Sequence, residues 1–171
     1  YDGVVEVARG LAANKTIRRV SLASNRIGPR GAAALADALV DHPSLAYLDL
    51  GFTKATVAVG ELGNCIGDDG AKEMARLLHG NTALRSLDLL HNYISQRGVN
   101  HLREAMKVNH ALVWLQLTQF GKVHNEPGKE ELRAALQRNR GRLGADELAA
   151  CEEANLPAHV REIYSVYRTH M

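Results

Sequence analysis

Residues 84–111 read LRSLDLLHNYISQRGVNHLREAMKVNHA, and the pattern inside them decides the fold. Leu84, Leu87 and Leu89 follow the form LxxLxL, whose alternating side chains suit a short strand with one buried face. Asn92 and Ile94 come next, and then Gly98 and Leu102 at helical spacing. The same order recurs on both sides. IRRVSLASNRIGPRGAAALADALVDHPS begins at Ile17, LAYLDLGFT at Leu45 and LVWLQLTQF at Leu112. Asn25 with Ile27 and Asn64 with Ile66 repeat the Asn-x-Ile pair. A glycine stands four residues before an apolar position as Gly3/Val7, Gly31/Leu35, Gly70/Met74, Gly98/Leu102 and Gly128/Leu132, with spacings of 28, 39, 28 and 30. The base period is therefore 28, with about eleven extra residues in the second unit and two in the fourth.

Each unit is a strand followed by a helix. The stretch GAAALADAL at 31–39 places apolar residues at i, i+4 and i+8, one face of a helix. With a helix returning the chain in every period, the strands must run parallel. An asparagine after the strand fits because its amide both donates and accepts, satisfying turn backbone that has no ladder partner. Asn25, Asn64 and Asn92 are the expected structural turn residues. Ala32, Ala36 and Ala38 keep neighbouring helices close. One unit cannot bury its own apolar face, so stability has to come from stacking.

Composition agrees with stacked layers. The chain has 171 residues, 46% of them apolar and only 5% aromatic, so its core is built of Leu, Ala and Val. Charge is nearly balanced, 21 Lys and Arg against 19 Asp and Glu, which gives no ground for a nucleic-acid or membrane partner. Cys65 and Cys151 lack metal-ligand spacing and cannot staple a secreted mini-domain, so an intracellular, cytoplasmic setting is expected. No apolar run approaches the roughly 18 residues of a membrane span. The first residues, YDGVVEVARG, have no basic region and no Met, so the chain is read as starting inside a longer product.

The full form LxxLxLxxNxIxxxGxxxLxxxL, with Asn14, His42, Asn81 and Asn109 before the next Leu, resembles the leucine-rich-repeat superfamily. Within it, the unit length is similar to the ribonuclease-inhibitor-like class. The likeness covers roughly residues 3–139 and departs at Thr53 and Phe120. It implies an α/β solenoid, a horseshoe arc of four to five units, with parallel strands on the concave side and α-helices on the convex side. Residues 1–139 form the expected repeat domain, interrupted by an insertion at 51–63, and residues 140–171 a helical C-terminal cap over the open edge of the last repeat. Pro157 suits a helix start, and Val160, Ile163, Tyr164 and Tyr167 share one helical face that could cover the edge or bind a partner. Residues 3–13 read as a helical half-unit with no strand before it, an edge open to self-association.

Catalytic signatures are missing. No GxSxG elbow, HExxH motif, P-loop or paired-carboxylate signature occurs, and GKVHNEPGK at 121–129 lacks the GxxxxGK[ST] form. His42 occupies the Asn position of the repeat, His79, His101 and His110 fall on helices or their ends, and all four read as structural or solvated. Asp68 and Asp69 precede the third helix and are expected to favour its own N-terminus. No enzyme, cofactor or metal is expected.

What remains is the strand face. Residues between the leucines point outward and stack as columns: Arg19, Tyr47, Ser86 and Trp114; then Ser21, Asp49, Asp88 and Gln116. Ala23, Gly51, Leu90 and Thr118 follow, then Ser24, Phe52, His91 and Gln119. Arg19, Tyr47, Asp49, Phe52, Asp88, His91, Trp114 and Gln116 are the candidate partner-binding residues, since aromatics beside charges characterise interface centres. Trp114 either faces a partner or packs under the terminal helix. The insertion 51–63, with Val57, Val59 and Leu62, is open to a binding or a packing role. Four strands about 4.8 Å apart expose a patch of only roughly 200–300 Å², against about 800 Å² per partner in a standard interface. The face would need its rim loops, or a longer horseshoe. The resemblance implies a non-catalytic module binding an as yet unidentified protein. The alternatives are a regulator of a partner's chemistry, as in Ran GTPase-activating proteins, or a structural segment of a receptor or scaffold, as in NOD-like receptors.

Overall fold

Four three-residue strands, β1 (Arg19–Ser21), β2 (Tyr47–Asp49), β3 (Ser86–Asp88) and β4 (Trp114–Gln116), pair in parallel in the order β1-β2-β3-β4. This arrangement comes from a computed structural model that describes residues 3–52, 62–117 and 127–154. The insertion between 53 and 61, Thr118, Gln119 and Phe120, most of the 121–129 loop, and Pro157 with its apolar partners fall outside those residues.

The helices are α1 (Gly3–Ala13), α2 (Pro29–Leu39), α3 (Gly67–Gly80), α4 (Gln96–Val108), α5 (Pro127–Arg140) and α6 (Ala145–Ala154). Helices α1 to α5 pack each on the next, behind the sheet. Strands spaced at about 4.8 Å beside helices spaced at 8–10 Å bend the stack toward the strands, which makes the strand side concave. Between the layers lie Leu48, Leu50, Leu87 and Leu89 from the strands, Ile27, Ile66 and Ile94 from the turns, and Leu35, Met74 and Leu102 from the helices. All are buried. In the outer strands the equivalent Val20 and Leu115 are only partly buried, because each has a neighbouring layer on one side.

The glycine four residues before each core position admits the neighbouring helix. A Cβ on Gly70 would stand 3.2 Å from the Ala32 Cβ, and one on Gly98 would stand 3.0 Å from the Ala71 Cβ. The first pair, Gly3/Val7, departs from the expectation. Val7 is exposed, and α1 buries Ala8 and Leu11 instead. As the first helix of the stack, α1 meets a helix only on its α2 side, so it turns a different stripe inward.

Two asparagine ladders tie the units together. In the first, the Asn64 amide donates to the carbonyls of Leu22 (3.0 Å) and Leu50 (2.8 Å), and its Oδ1 accepts from the N–H groups of Asn25 (3.0 Å) and Ile27 (2.9 Å). Asn92 donates to Leu50 O at 2.8 Å and accepts from Ile66 N at 3.3 Å. Asn25 corrects the sequence reading: it is exposed, and its amide reaches only Ala23 O in its own turn. The side chain works toward the preceding unit, and Asn25 follows β1, the edge strand of the sheet. The turns also hold Ser24, Arg26, His91 and Tyr93 at φ near +58° (58, 58, 59 and 57), a left-handed conformation uncommon outside glycine.

The second ladder holds the helix ends. Asn81 donates to Leu39 O (2.7 Å), Asn109 to Leu78 O (2.7 Å) and Asn139 to Leu112 O (2.7 Å), all from buried positions. The Oδ1 atoms of Asn81 and Asn109 cap the following segments, accepting from Leu84 N at 2.7 Å and from Leu112 N at 2.8 Å, while that of Asn139 accepts from Arg138 Nε at 3.1 Å. His42 takes this place in its unit: Nδ1 accepts from Leu45 N at 3.1 Å, while the buried Nε2 finds no partner among the described residues.

Asp68 also works across units. Its Oδ1 accepts from the N–H groups of Ser95 (2.8 Å) and Gly98 (3.0 Å), and its Oδ2 from the Ser95 hydroxyl (2.6 Å), so it caps α4 and not its own helix α3. Stacking brings that N-terminus over Asp68, and three donors outweigh an end-on dipole. Although burial pulls its carboxyl upward, the Ser95 and Gly98 hydrogen bonds leave it below the usual range.

Candidate functional site

The pleat and the parallel register assemble the strand face. Arg19 pairs with Tyr47, Tyr47 with Ser86 and Ser86 with Trp114; Ser21, Asp49, Asp88 and Gln116 pair in the same order one pleat on. The structure thus lines up the first two columns as the repeat alignment places them. Phe52 and His91 meet at the far end of the strands, ring centroids 6.1 Å apart and edge to face.

The two columns have different surroundings. In the second, Asp49 accepts from the Ser21 hydroxyl at 2.8 Å and from Gly51 N at 2.9 Å, and Asp88 accepts from Leu90 N at 2.8 Å. Each carboxylate closes a turn two residues on. Burial pushes the Asp88 carboxyl up to about 6, against the pull of the Leu90 N–H and with a further push from Asp49. Gly51 keeps the pair close: a Cβ there would sit 2.8 Å from Asp88 Oδ1. In each carboxylate Oδ1 is committed to its own turn, and Asp49 Oδ2 accepts from Ser21 on the neighbouring strand. Among the described residues no cluster of three or more His, Cys, Asp or Glu side chains is placed to hold a metal.

A raised carboxyl has a testable sign. The folded state holds the Asp88 proton more tightly than the unfolded chain, where the value is near 3.8, so the stabilisation is complete below that value and is lost as pH rises through about 6. Replacing Asp88→Asn removes the dependence. Melting curves at pH 4 to 7 should show the variant gaining on the wild type with each step upward; a gap that stays constant contradicts the buried-carboxyl account.

The first column is covered in part, from Tyr47 to Trp114, while Arg19 is exposed. Tyr47 donates its hydroxyl to the Cys151 sulfur of α6 at 3.5 Å, and Arg19 lies over its ring at 4.7 Å. Burial, then the Cys151 contact, pushes the phenol up to about 12, with Arg19 and Arg85 pulling back, so Tyr47 stays neutral and able to donate. Arg85 pairs with Glu147 of α6 at 3.2 Å. Arg140 lies over Trp114 at 5.2 Å and donates to Val113 O at 2.9 Å. Trp114 thus lies under the end of α5, and its buried Nε1 has no partner among the described residues. The described part of the C-terminal segment, α6, runs along the beginnings of the strands.

Sequence reasoning did not find Arg85, Arg140, Glu147 or Cys151. None occupies a repeat position that signals the contact, and Tyr47 and Cys151 are 104 residues apart. The hold is light. A partly exposed ion pair contributes about 0–1 kcal/mol, and Cys151 is the buried side chain among the described ones of α6.

A family model described as Leucine Rich repeat matches residues 13–36 and 63–75. Leucine-rich-repeat units are thus matched at two places on a fold of alternating parallel strands and helices. This fold is similar to a solved structure titled Leiomodin-1 Actin-Binding Site 2, with a TM-score of 0.69 and 18% identity, covering 91% of this chain and 83% of that one. A tropomodulin C-terminal domain from Caenorhabditis elegans also matches, with a TM-score of 0.44 and 13% identity, covering 81% of this chain and 94% of that one. Among the described residues no helix is long and apolar enough to cross a membrane.

Proposed function

We infer that the protein is a non-catalytic interaction module that binds a protein partner through the strand face and its rim. The observation that carries this reading is the contiguous arrangement of Asp49, Asp88, Gln116, Phe52 and His91 on one side of a rigid sheet. On the same face Tyr47 lies under α6 and Trp114 under Arg140, so with α6 seated a partner meets the second column and the Phe52/His91 rim first. The repeat length supports the ribonuclease-inhibitor-like subclass, and the free cysteines, Cys65 exposed and Cys151 buried, support an intracellular setting. Repeat domain 1–139 with a helical segment from 140 remains our division of the chain.

The leiomodin-1 structure is titled as an actin-binding site. Actin is therefore the first partner to test, by filament co-sedimentation and by gel filtration with monomers, followed by affinity capture from the native host. For the partner so found, Phe52→Ala with His91→Ala should weaken binding about tenfold or more, as for truncation of an interface centre, while the melting temperature stays within a few degrees. Unchanged affinity in that variant sinks the strand-face reading.

A further inference from the structure

Helix α6 and the first column of the sheet match in spacing and charge. Four residues of helix rise about 6 Å, and neighbouring parallel strands lie about 4.8 Å apart. Glu147 and Cys151, four residues apart on α6, meet Arg85 beside β3 and Tyr47 on β2. One turn of helix thus spans one strand. Arg140, the last residue of α5, continues the line to Trp114 on β4. The segment ADELAACEEA carries Asp146, Glu147, Glu152 and Glu153 and no basic residue, while Arg19 in the column and Arg85 beside it supply positive charge. Asp146, Glu147 and Glu152 are exposed, Cys151 is buried, and the ion pair to Arg85 is half open to water on the glutamate side. Such a contact is specific in register and weak in hold.

We propose that the first column is a docking groove for an acidic α-helix presenting a glutamate and a small apolar side chain four residues apart, and that α6 is its occupant in cis. A partner helix of the same chemistry displaces α6 and gains Tyr47 as well as the rim. This extends the small exposed patch toward the area a stable complex needs, and it rests on the strand face being the interaction surface.

Cys151 is a built-in reporter. In the full chain with Cys65→Ser, Cys151 is the one remaining thiol, and its rate of maleimide labelling measures how often α6 leaves. Adding Glu147→Arg should speed labelling about tenfold or more, since an attraction becomes a repulsion, and combining it with Arg85→Glu should restore the slow rate. A synthetic peptide of residues 143–154 carrying Cys151→Ser should accelerate labelling of the chain to saturation, and do so far less on Arg85→Glu. Circular dichroism checks that each variant keeps the repeat fold. A labelling rate that Glu147→Arg leaves unchanged, or a peptide that acts equally on Arg85→Glu, overturns the proposal. No partner protein enters this assay, so its failure leaves the Phe52/His91 experiment standing, and failure of that experiment leaves this one readable.

Discussion

Asn64→Ala should lower the unfolding free energy by about 3–4 kcal/mol, from three backbone groups losing a partner at about 1–1.5 kcal/mol each. The groups are Asn25 N, Ile27 N and Leu22 O; Leu50 O keeps the Asn92 amide. Asn64 itself is fully buried, so alanine leaves no room for bulk water to replace the amide. The control is Asn25→Ala. Though it shares the motif, Asn25 is exposed and bonds within its own turn, and its loss should cost under about 0.5 kcal/mol, the usual range for a surface change. Urea titration of both variants decides the matter, and equal losses would contradict the ladder. Because Asn64 sits at the seam between the first two strands, hydrogen exchange should show α1, β1 and α2 opening before the rest, as expected of a stack coupled through nearest neighbours.

Gly98→Val should cost about 3 kcal/mol or more, the upper range for overpacking a filled site. A Cβ at Gly98 stands 2.6 Å from Ile94 Cγ2 and 2.7 Å from Asp68 Oδ1. The isoleucine methyl can rotate away. Asp68 cannot, because it is held by Ser95 N, Ser95 Oγ and Gly98 N, and moving it uncaps α4. Gly98→Ala separates the terms: helix propensity returns about 1 kcal/mol, so the net loss should be smaller than for valine yet still a loss. Thermal melts showing alanine to be stabilising would mean that the helices can part without cost.

The same comparison explains how much was legible in advance. The spacing of Leu84, Leu87 and Leu89 and its echoes at 17, 45 and 112 placed every strand, and Gly31, Gly70 and Gly98 placed the helices, because each unit must present the same faces to the same neighbours. The columns Arg19 to Trp114 and Ser21 to Gln116 followed from that alignment, and the parallel register reproduces them. Where the periodic rule met an end of the stack it failed. Val7 and Asn25 occupy repeat positions but are exposed, since the rule describes a unit with neighbours on both sides.

Repetition in the sequence by itself determined the solenoid, the order of its strands and the inward leucines, because burial at period two and period 3.6 is written locally. Only the tertiary structure decided what each polar residue does across the gaps between units. It turned Asp68 from its own helix to the next one, gave Asn64 a task that Asn25 lacks, and laid Glu147 and Cys151 on Arg85 and Tyr47. Those contacts join residues from about 30 to more than 100 positions apart, 30 for Asp68 with Gly98 and 104 for Tyr47 with Cys151. The α6 contacts are made once and not repeated, so no period in the chain announces them. The physical reason is that a repeat encodes what every layer shares, whereas the covering of the strand face depends on where a single non-repeating segment comes to rest.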